Sequence, residues 1–311
     1  MKRLLLLAIS ILTIFPALAN GSLKIGLLPI EDSLPFYIAE EAKLYAEENL
    51  AVELIPFQSA IERDSALAAG AIDGAIDDPI GALLFDQGHG RLKITSICLG
   101  AKPAEGVFAI LAAPGSNLKT VNDLKGVEIA VSNSTIIEYV TDRILAEQGF
   151  TSDEIKKLEV VKMPIRMQML LSGSVKAATL PEPLASIAVS KGARALITDA
   201  AGDKSLSQTV IVFRPEVLEK QKPEIRAFFR AYTKAVQAIN TDTEKFRTLF
   251  VEKCRIPPFL AKTYPIPQYP IPAPFNPSLY EPVIGWLTGK KLVGTIPYAD
   301  MVATDFMDGQ N

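Results

Sequence analysis

Two stretches of this chain share one layout. In the first, six residues separate Arg63 from Gly70, Ala71-Ile72-Asp73-Gly74-Ala75 follows, and Asp78-Pro79-Ile80-Gly81 closes the unit. In the second, Arg166 and Gly173 keep that spacing, Ser174-Val175-Lys176-Ala177-Ala178 follows, and Glu182-Pro183-Leu184-Ala185 closes it with one residue inserted. Glycine ends a helix because it enters the left-handed conformation freely. Proline opens the next one because the N–H it lacks would be unpaired there anyway. Any single α/β unit needs such punctuation, but the whole order occurring twice predicts two lobes of similar build.

The segments around these units alternate. Apolar runs at 23–28, 51–57, 71–76, 93–99 and 107–112 read as strands, with helical patterns at 35–48, 61–69 and 79–87. A second series places strands at 127–131, 158–162, 175–179, 195–198 and 209–213, with helices at 136–148, 166–171, 183–191, 223–239 and 243–251. The fold class is α/β, and the alternation predicts a mostly parallel sheet with helices on both faces. The tail differs. Residues 256–277 are crowded with prolines, which excludes a regular helix or central strand. Tyr264, Ile266, Tyr269, Ile271 and Phe275 alternate with those prolines, so an extended strap lying on a lobe is expected. A last helix opens at Pro277-Ser278 and carries Trp286, read as a core anchor.

The N-terminus indicates the compartment. Lys2-Arg3, an apolar run at 4–15, Pro16 and then Ala17-Leu18-Ala19 form a secretory signal peptide, residues 1–19, cleaved after Ala19. The run is too short to anchor the chain across a bilayer. Export to a bacterial periplasm as a monomer is the expectation. The remaining chain of roughly 290 residues exceeds what one core usually holds. Taking Lys2 and Arg3 from 32 basic residues leaves 30 against 35 acidic ones, a net charge of −5. That balance excludes the electrostatic footprint of a nucleic-acid binder. Cys98 and Cys254 are the only thiols; export permits a disulfide, but spacing fixes no geometry. With His89, the only histidine, in the turn-like QGHGR, the chain offers no metal site by spacing and no Ser-His-Asp arrangement, and no cofactor is expected.

In open α/β sheets ligands bind beyond the carboxyl ends of strands, where following helices present unpaired N–H groups. Residues 29–36 (PIEDSLPF), 77–79 (DDP), 132–135 (SNST) and 180–183 (LPEP) hold such positions. In SNST, capping a helix takes one polar side chain and leaves spare hydrogen-bonding capacity. Asp78 and Glu182 each precede a proline, where the helix dipole favours a carboxylate with or without a ligand. Asp77-Asp78 has no nucleophile beside it, so binding is favoured over catalysis. The candidates are Glu31, Ser33, Asp78, Ser132, Asn133, Ser134 and Glu182 for polar contacts, with Phe36 and Tyr139 as walls. If Glu31, Asp32, Asp77, Asp78 and Glu182 face the cleft, a cationic or donor-rich ligand is favoured over a small anion.

Lys24-Ile25-Gly26, Ala68-Ala69-Gly70 through Asp73, residues 121–132 (VNDLKGVEIAVS), the segment 180–185 and the proline-rich strap together resemble the periplasmic substrate-binding proteins of the nitrate/sulfonate/taurine type, near the thiamine-pyrimidine-precursor binders. The resemblance implies the type II binding-protein architecture: two Rossmann-like lobes joined by two crossing segments, with the ligand clamped between them. The crossings would fall near 109–114 and 206–212. The first lobe would then comprise 20–114 and 206–311, including the strap and C-terminal helix, and the second lobe 115–205. The implied role is the solute receptor of an ABC importer, with a small-molecule ligand and a membrane permease and ATPase as partners. Enzymes on the same scaffold, of the pyrimidine-precursor-synthase or menaquinone-pathway kind, are the rival reading. Leu180-Pro181 stands where relatives often carry an aromatic, so a stacking wall for an anion is not implied.

Overall fold

A computed structural model describes residues 22–307, so the expected signal peptide lies outside them. Ten strands form two five-stranded sheets. The first contains β1 (Ser22–Leu27), β2 (Ala51–Pro56), β3 (Gly74–Asp77), β4 (Lys93–Leu99) and β10 (Thr209–Phe213), in the order β2-β1-β3-β10-β4. The second contains β5 (Phe108–Ala112), β6 (Glu128–Val131), β7 (Lys156–Glu159), β8 (Ala177–Pro181) and β9 (Arg194–Thr198), in the order β7-β6-β8-β5-β9. The two orders superpose strand for strand, so the repeated layout in the sequence corresponds to a repeated sheet.

The sheets are mixed rather than mostly parallel. β1 pairs in parallel with β2 and β3, and β6 with β7 and β8, while β10 and β5 run antiparallel to both of their neighbours. The reason lies in the crossings. β10 and β5 are the strands entered directly from the other lobe, so each starts at the end where its parallel neighbours finish. Thr209 pairs with Leu99 and Phe108 with Pro181, which places the carboxyl ends of β3, β4, β8 and β9 at the ends facing the opposite lobe.

The chain passes between sheets at 100–107 and 199–208. Residues 109–112, expected in a crossing, lie in β5, whose buried apolar run is a central strand rather than a linker. The two crossings pack on each other through small residues. A Cβ on Gly106 would lie 2.5 Å from Asp199 Oδ1, and Gly100, at φ +84°, sits against the Ser207 carbonyl. Asp199 accepts from the Phe108 N–H at 2.9 Å, and Ser205 and Ser207 donate to the Gly100 carbonyl and to Asp199.

Local signals place most helices as expected. Ser59, Asp78, Thr135 and Asn276 accept from backbone N–H groups at the starts of Ala60–Ala68, Pro79–Asp86, Ile136–Glu147 and Pro277–Gly289. Gly70 and Gly173 take φ of +68° and +75° after Ala60–Ala68 and Met163–Leu171. The single helix expected over 35–48 is instead two, Leu34–Glu41 and Leu44–Glu47, broken where Lys43 adopts φ 58° with no glycine to announce it. The repeated arginines occupy matching places. Arg63 donates to the Ile76 carbonyl at 2.7 Å and Arg166 to the Thr179 carbonyl at 3.0 Å, each thirteen residues on.

The long helix Lys222–Thr241 buries Phe228, Phe229, Tyr232 and Ile239 against Leu34–Glu41 and the first sheet. Each such fully buried side chain contributes roughly 1.5–3 kcal/mol. Another cluster runs through both lobes, from Ile80 and Leu83 past Val210 to Ile129, Tyr139 and Val140. The strap has no regular structure between the helices Arg247–Lys253 and Pro277–Gly289, and it buries Tyr264, Tyr269 and Phe275.

Candidate ligand-binding site

Loops from the two sheets meet where the strand ends face each other. After β1 the chain turns through Glu31–Ser33, burying all three side chains. The Tyr264 hydroxyl of the strap donates to Glu31 Oε2 at 2.8 Å, and that of Tyr269 donates to the Glu31 carbonyl at 2.7 Å. From the other lobe Glu182, at the end of β8, comes near enough for its charge to act on Glu31 and for Tyr264 to draw its own carboxyl down. The sequence-predicted Glu31 and Glu182 are therefore within electrostatic reach of each other and of Tyr264.

Burial and the Asp32 charge push the Glu31 carboxyl up to about 8, against the Tyr264 hydrogen bond and with a further push from Glu182. Asp32, buried and served only by its own backbone N–H, is pushed up to about 7. Burial also raises Glu182, although the Ser186 hydroxyl and N–H donate to it at 3.0 and 3.1 Å. Burial and the charge of Glu31 push the Tyr264 phenol far up, so it acts as a donor. No lysine or arginine is among the groups shifting these carboxyls.

The other expected contacts are used structurally. Ser33 is fully buried and donates to the Leu28 carbonyl at 2.7 Å. Asp78 caps its helix through the Gly81 N–H at 2.8 Å. Ser132 donates to the Val161 carbonyl and accepts from Arg166, so its hydroxyl braces the second lobe. Ser134 gives its N–H to Glu138 at 2.6 Å, and Asn133 alone of the SNST loop is exposed. The two aromatic walls are corrected. Phe36 is 0% exposed, set edge-on to Tyr232 with centroids 4.9 Å apart. Tyr139 is 1% exposed and packs edge-on against Trp286, centroids 5.5 Å apart. Phe36 is enclosed within the first lobe by Phe228 and Tyr232, whereas Tyr139 is covered by the helix that carries Trp286.

Sequence reasoning missed three residues here. Tyr264 read only as an apolar member of the strap, although a tyrosine among prolines was the available signal. Arg166 marked the repeat, yet its fan of bonds to Ser132, Val160 and Thr179 was not foreseen. Burial without a carboxylate partner lowers the Arg166 guanidinium to about 10. Gln208, which no motif marked, is 2% exposed just before β10 and donates to the Ser205 carbonyl at 2.7 Å. Trp286, expected in a core, packs against the cluster that runs through both lobes and also joins them: its ring N–H donates to Asp142 Oδ2 at 3.0 Å. Lys290, just beyond the same helix, pairs with Glu138 and lies 3.5 Å from Asp142, and Lys157 lies 2.7 Å from both.

Cys98 and Cys254 are free and buried. Among the described residues no group of three or more His, Cys, Asp or Glu side chains could hold a metal ion, and no helix is long and apolar enough to cross a membrane.

The molecule is similar to the ligand-binding component of an ABC-type import system from Staphylococcus aureus with zinc bound, at TM-score 0.77 and 18% identity over 92% of this chain and 97% of that one. It is similar to the periplasmic aliphatic sulphonate-binding protein SsuA from Escherichia coli, at TM-score 0.77 and 20% identity over 94% and 96%. The desulfurization enzyme DszB has the same fold, at TM-score 0.69 and 13% identity over 92% and 97%. At these identities the likeness concerns the fold, and it is the two-lobe architecture that the sequence resemblance implied. No curated protein matches the chain. The pattern of the NMT1-like family matches residues 17–251, well over half of the sequence, and the chain belongs to that family.

Proposed function

We propose that this protein is the exported solute receptor of an ABC importer. It captures a small organic molecule between its lobes in the periplasm and delivers it, closed, to a membrane permease coupled to an ATPase. The observation that carries this reading is the meeting of Glu31 and Tyr264 from one lobe with Glu182 from the other, at strand ends where α/β sheets take ligands. The crossings at 100–107 and 199–208 supply the hinge for closure.

The DszB likeness keeps an enzyme as the second reading. It ranks lower because neither thiol is a nucleophile in this setting. Cys98 donates to the Asp32 carbonyl at 3.2 Å, and burial pushes both thiols well above their usual value. Native mass spectrometry of the protein purified from the periplasm tests the receptor reading. A bound, unchanged small molecule whose import requires this gene is the expected result. Turnover of that molecule by the purified protein would replace the receptor with an enzyme.

A further inference from the structure

The contact between Pro277–Gly289 and Ile136–Glu147 is a contact between lobes, separate from Glu31, Tyr264 and Glu182. Pro277–Gly289 is tied to β4 of the first sheet on both sides. Before the helix the Ile97 N–H donates to the Ala273 carbonyl at 3.0 Å, and after it the Ala303 N–H donates to the Ile94 carbonyl at 2.9 Å. Ile136–Glu147 is tied to the second sheet, where the hydroxyls of Thr141 and of Thr179 on β8 share a hydrogen bond at 2.7 Å. A rotation that parts the lobes on this flank therefore has to break what passes between the two helices.

What passes between them is a small charge network. The first lobe supplies the Trp286 ring N–H, donating to Asp142 Oδ2 at 3.0 Å, and the Lys290 ammonium. That ammonium pairs with Glu138 and stands 3.5 Å from Asp142 and 4.9 Å from the centre of the Trp286 ring. The second lobe supplies both acids and a lysine of its own: Lys157, on β7, lies 2.7 Å from Glu138 and 2.7 Å from Asp142. Glu138 is fixed through its other oxygen, which accepts the Ser134 N–H at 2.6 Å. The two ammonium groups share Glu138 Oε1, and like charges on one oxygen weaken each other's hold. The Glu138 side chain is 5% exposed and that of Asp142 17%, so an acid left without a cation here would be a costly, poorly solvated charge. Lys157 removes that cost from opening. When Trp286 and Lys290 withdraw with the first lobe, both carboxylates keep a partner in the second, and Lys290 moves from a half-buried place into water.

We infer that this network is a releasable latch. In the protein without ligand, Trp286 and Lys290 hold the lobes together on this flank, and Lys157 is the standby counter-ion that keeps Glu138 and Asp142 neutralised when the lobes part. The two lysines thus act in opposite directions. Lys290 favours the closed arrangement, because its charge reaches the acids only there. Lys157 favours the open one, because it competes for the same oxygen and makes the release of Lys290 less costly. The latch stands or falls independently of what the cleft binds.

The test reads the distance between lobes in the purified protein, freed of small molecules by dialysis. β2 and β7 are the edge strands farthest from the crossings, and Ile61 and Lys162 are exposed just beyond their ends. Ile61→Cys and Lys162→Cys carry spin labels there, while Cys98 and Cys254 are buried and stay unlabelled. Double electron–electron resonance should show one dominant distance and a minor longer one. Lys290→Met should raise the longer fraction about fivefold. Trp286→Phe, which leaves every charge in place, should raise it too, and Lys157→Met added to Trp286→Phe should lower it again. A network that contributed only stability would not move the two lysine variants in opposite directions. The latch is overturned if the labelled parent is already fully open, or if Lys290→Met leaves the distribution unchanged. It is equally overturned if Lys157→Met fails to reverse the opening; Lys157→Gln takes its place should that variant not fold.

Discussion

At the scale of single residues, the acids at the cleft determine how stability depends on pH. Glu31 sits near 8 in the folded chain, and the groups facing it are Asp32, Glu182, Tyr264, Tyr269 and Cys254. Between its usual value and about 8 the folded state holds a proton that the unfolded state has lost. The stability Glu31 contributes is therefore complete below the usual glutamate range and is lost as pH rises through about 8. The slope is about 1.4 kcal/mol per pH unit for one proton. Without ligand, Tm should fall from pH 5 to pH 8, and Glu31→Gln should flatten that decline in a calorimetric series. The SNST loop divides similarly. Ser132→Ala strips Arg166 of a buried acceptor and should cost about 1–3 kcal/mol in denaturant unfolding, whereas Asn133→Ala should stay within about 0.5 kcal/mol. The sequence identified this loop as polar and well placed. It did not distinguish the brace from the free side chain, because that depends on an arginine thirty-four residues away.

At the scale of elements, Pro277–Gly289 of the first lobe lies against Ile136–Glu147 of the second through Trp286, Tyr139 and Asp142, with Lys290 just beyond the helix reaching Glu138 and Asp142. Burial would raise the Glu138 carboxyl, but hydrogen bonds from Lys157 and Lys290 outweigh it and hold it below its usual value. Trp286→Phe keeps the ring against Tyr139 and removes only the donor to Asp142, with an expected loss of about 1 kcal/mol. Trp286→Ala removes the ring as well and should cost about 3 kcal/mol or more. Small-angle scattering should show the alanine variant more open than the phenylalanine one; equal profiles would mean that the contact plays no part in holding the lobes together. The helix around Trp286 was legible from Pro277 and its apolar pattern. Its role across lobes was not, since periodicity identifies a buried face without naming what covers it.

At the scale of the whole molecule, the two crossings are the segments through which the chain passes between the lobes. Gly106→Ala would push a Cβ to 2.5 Å from Asp199 Oδ1 and 2.6 Å from the Ala200 nitrogen, separating segments that now touch. The expected cost is about 1–3 kcal/mol, measured by thermal unfolding, together with a weaker ligand response because the hinge no longer seats. A ligand at a hundred times its Kd should stabilise the parent protein by about 2.7 kcal/mol. The duplicated architecture was legible in the sequence because its signals are local. The glycine after each helix, the acid-proline before the next, and the arginine thirteen residues ahead of the carbonyl it braces all act within one unit. The antiparallel course of β5 and β10 was not legible, because it follows from where the chain re-enters each sheet. The sequence by itself determined two α/β lobes and a set of acids at strand ends. Only the tertiary structure decided which acids meet, because Glu31, Tyr264 and Glu182 are joined by lobe packing and by a strap whose prolines specify extension but not destination.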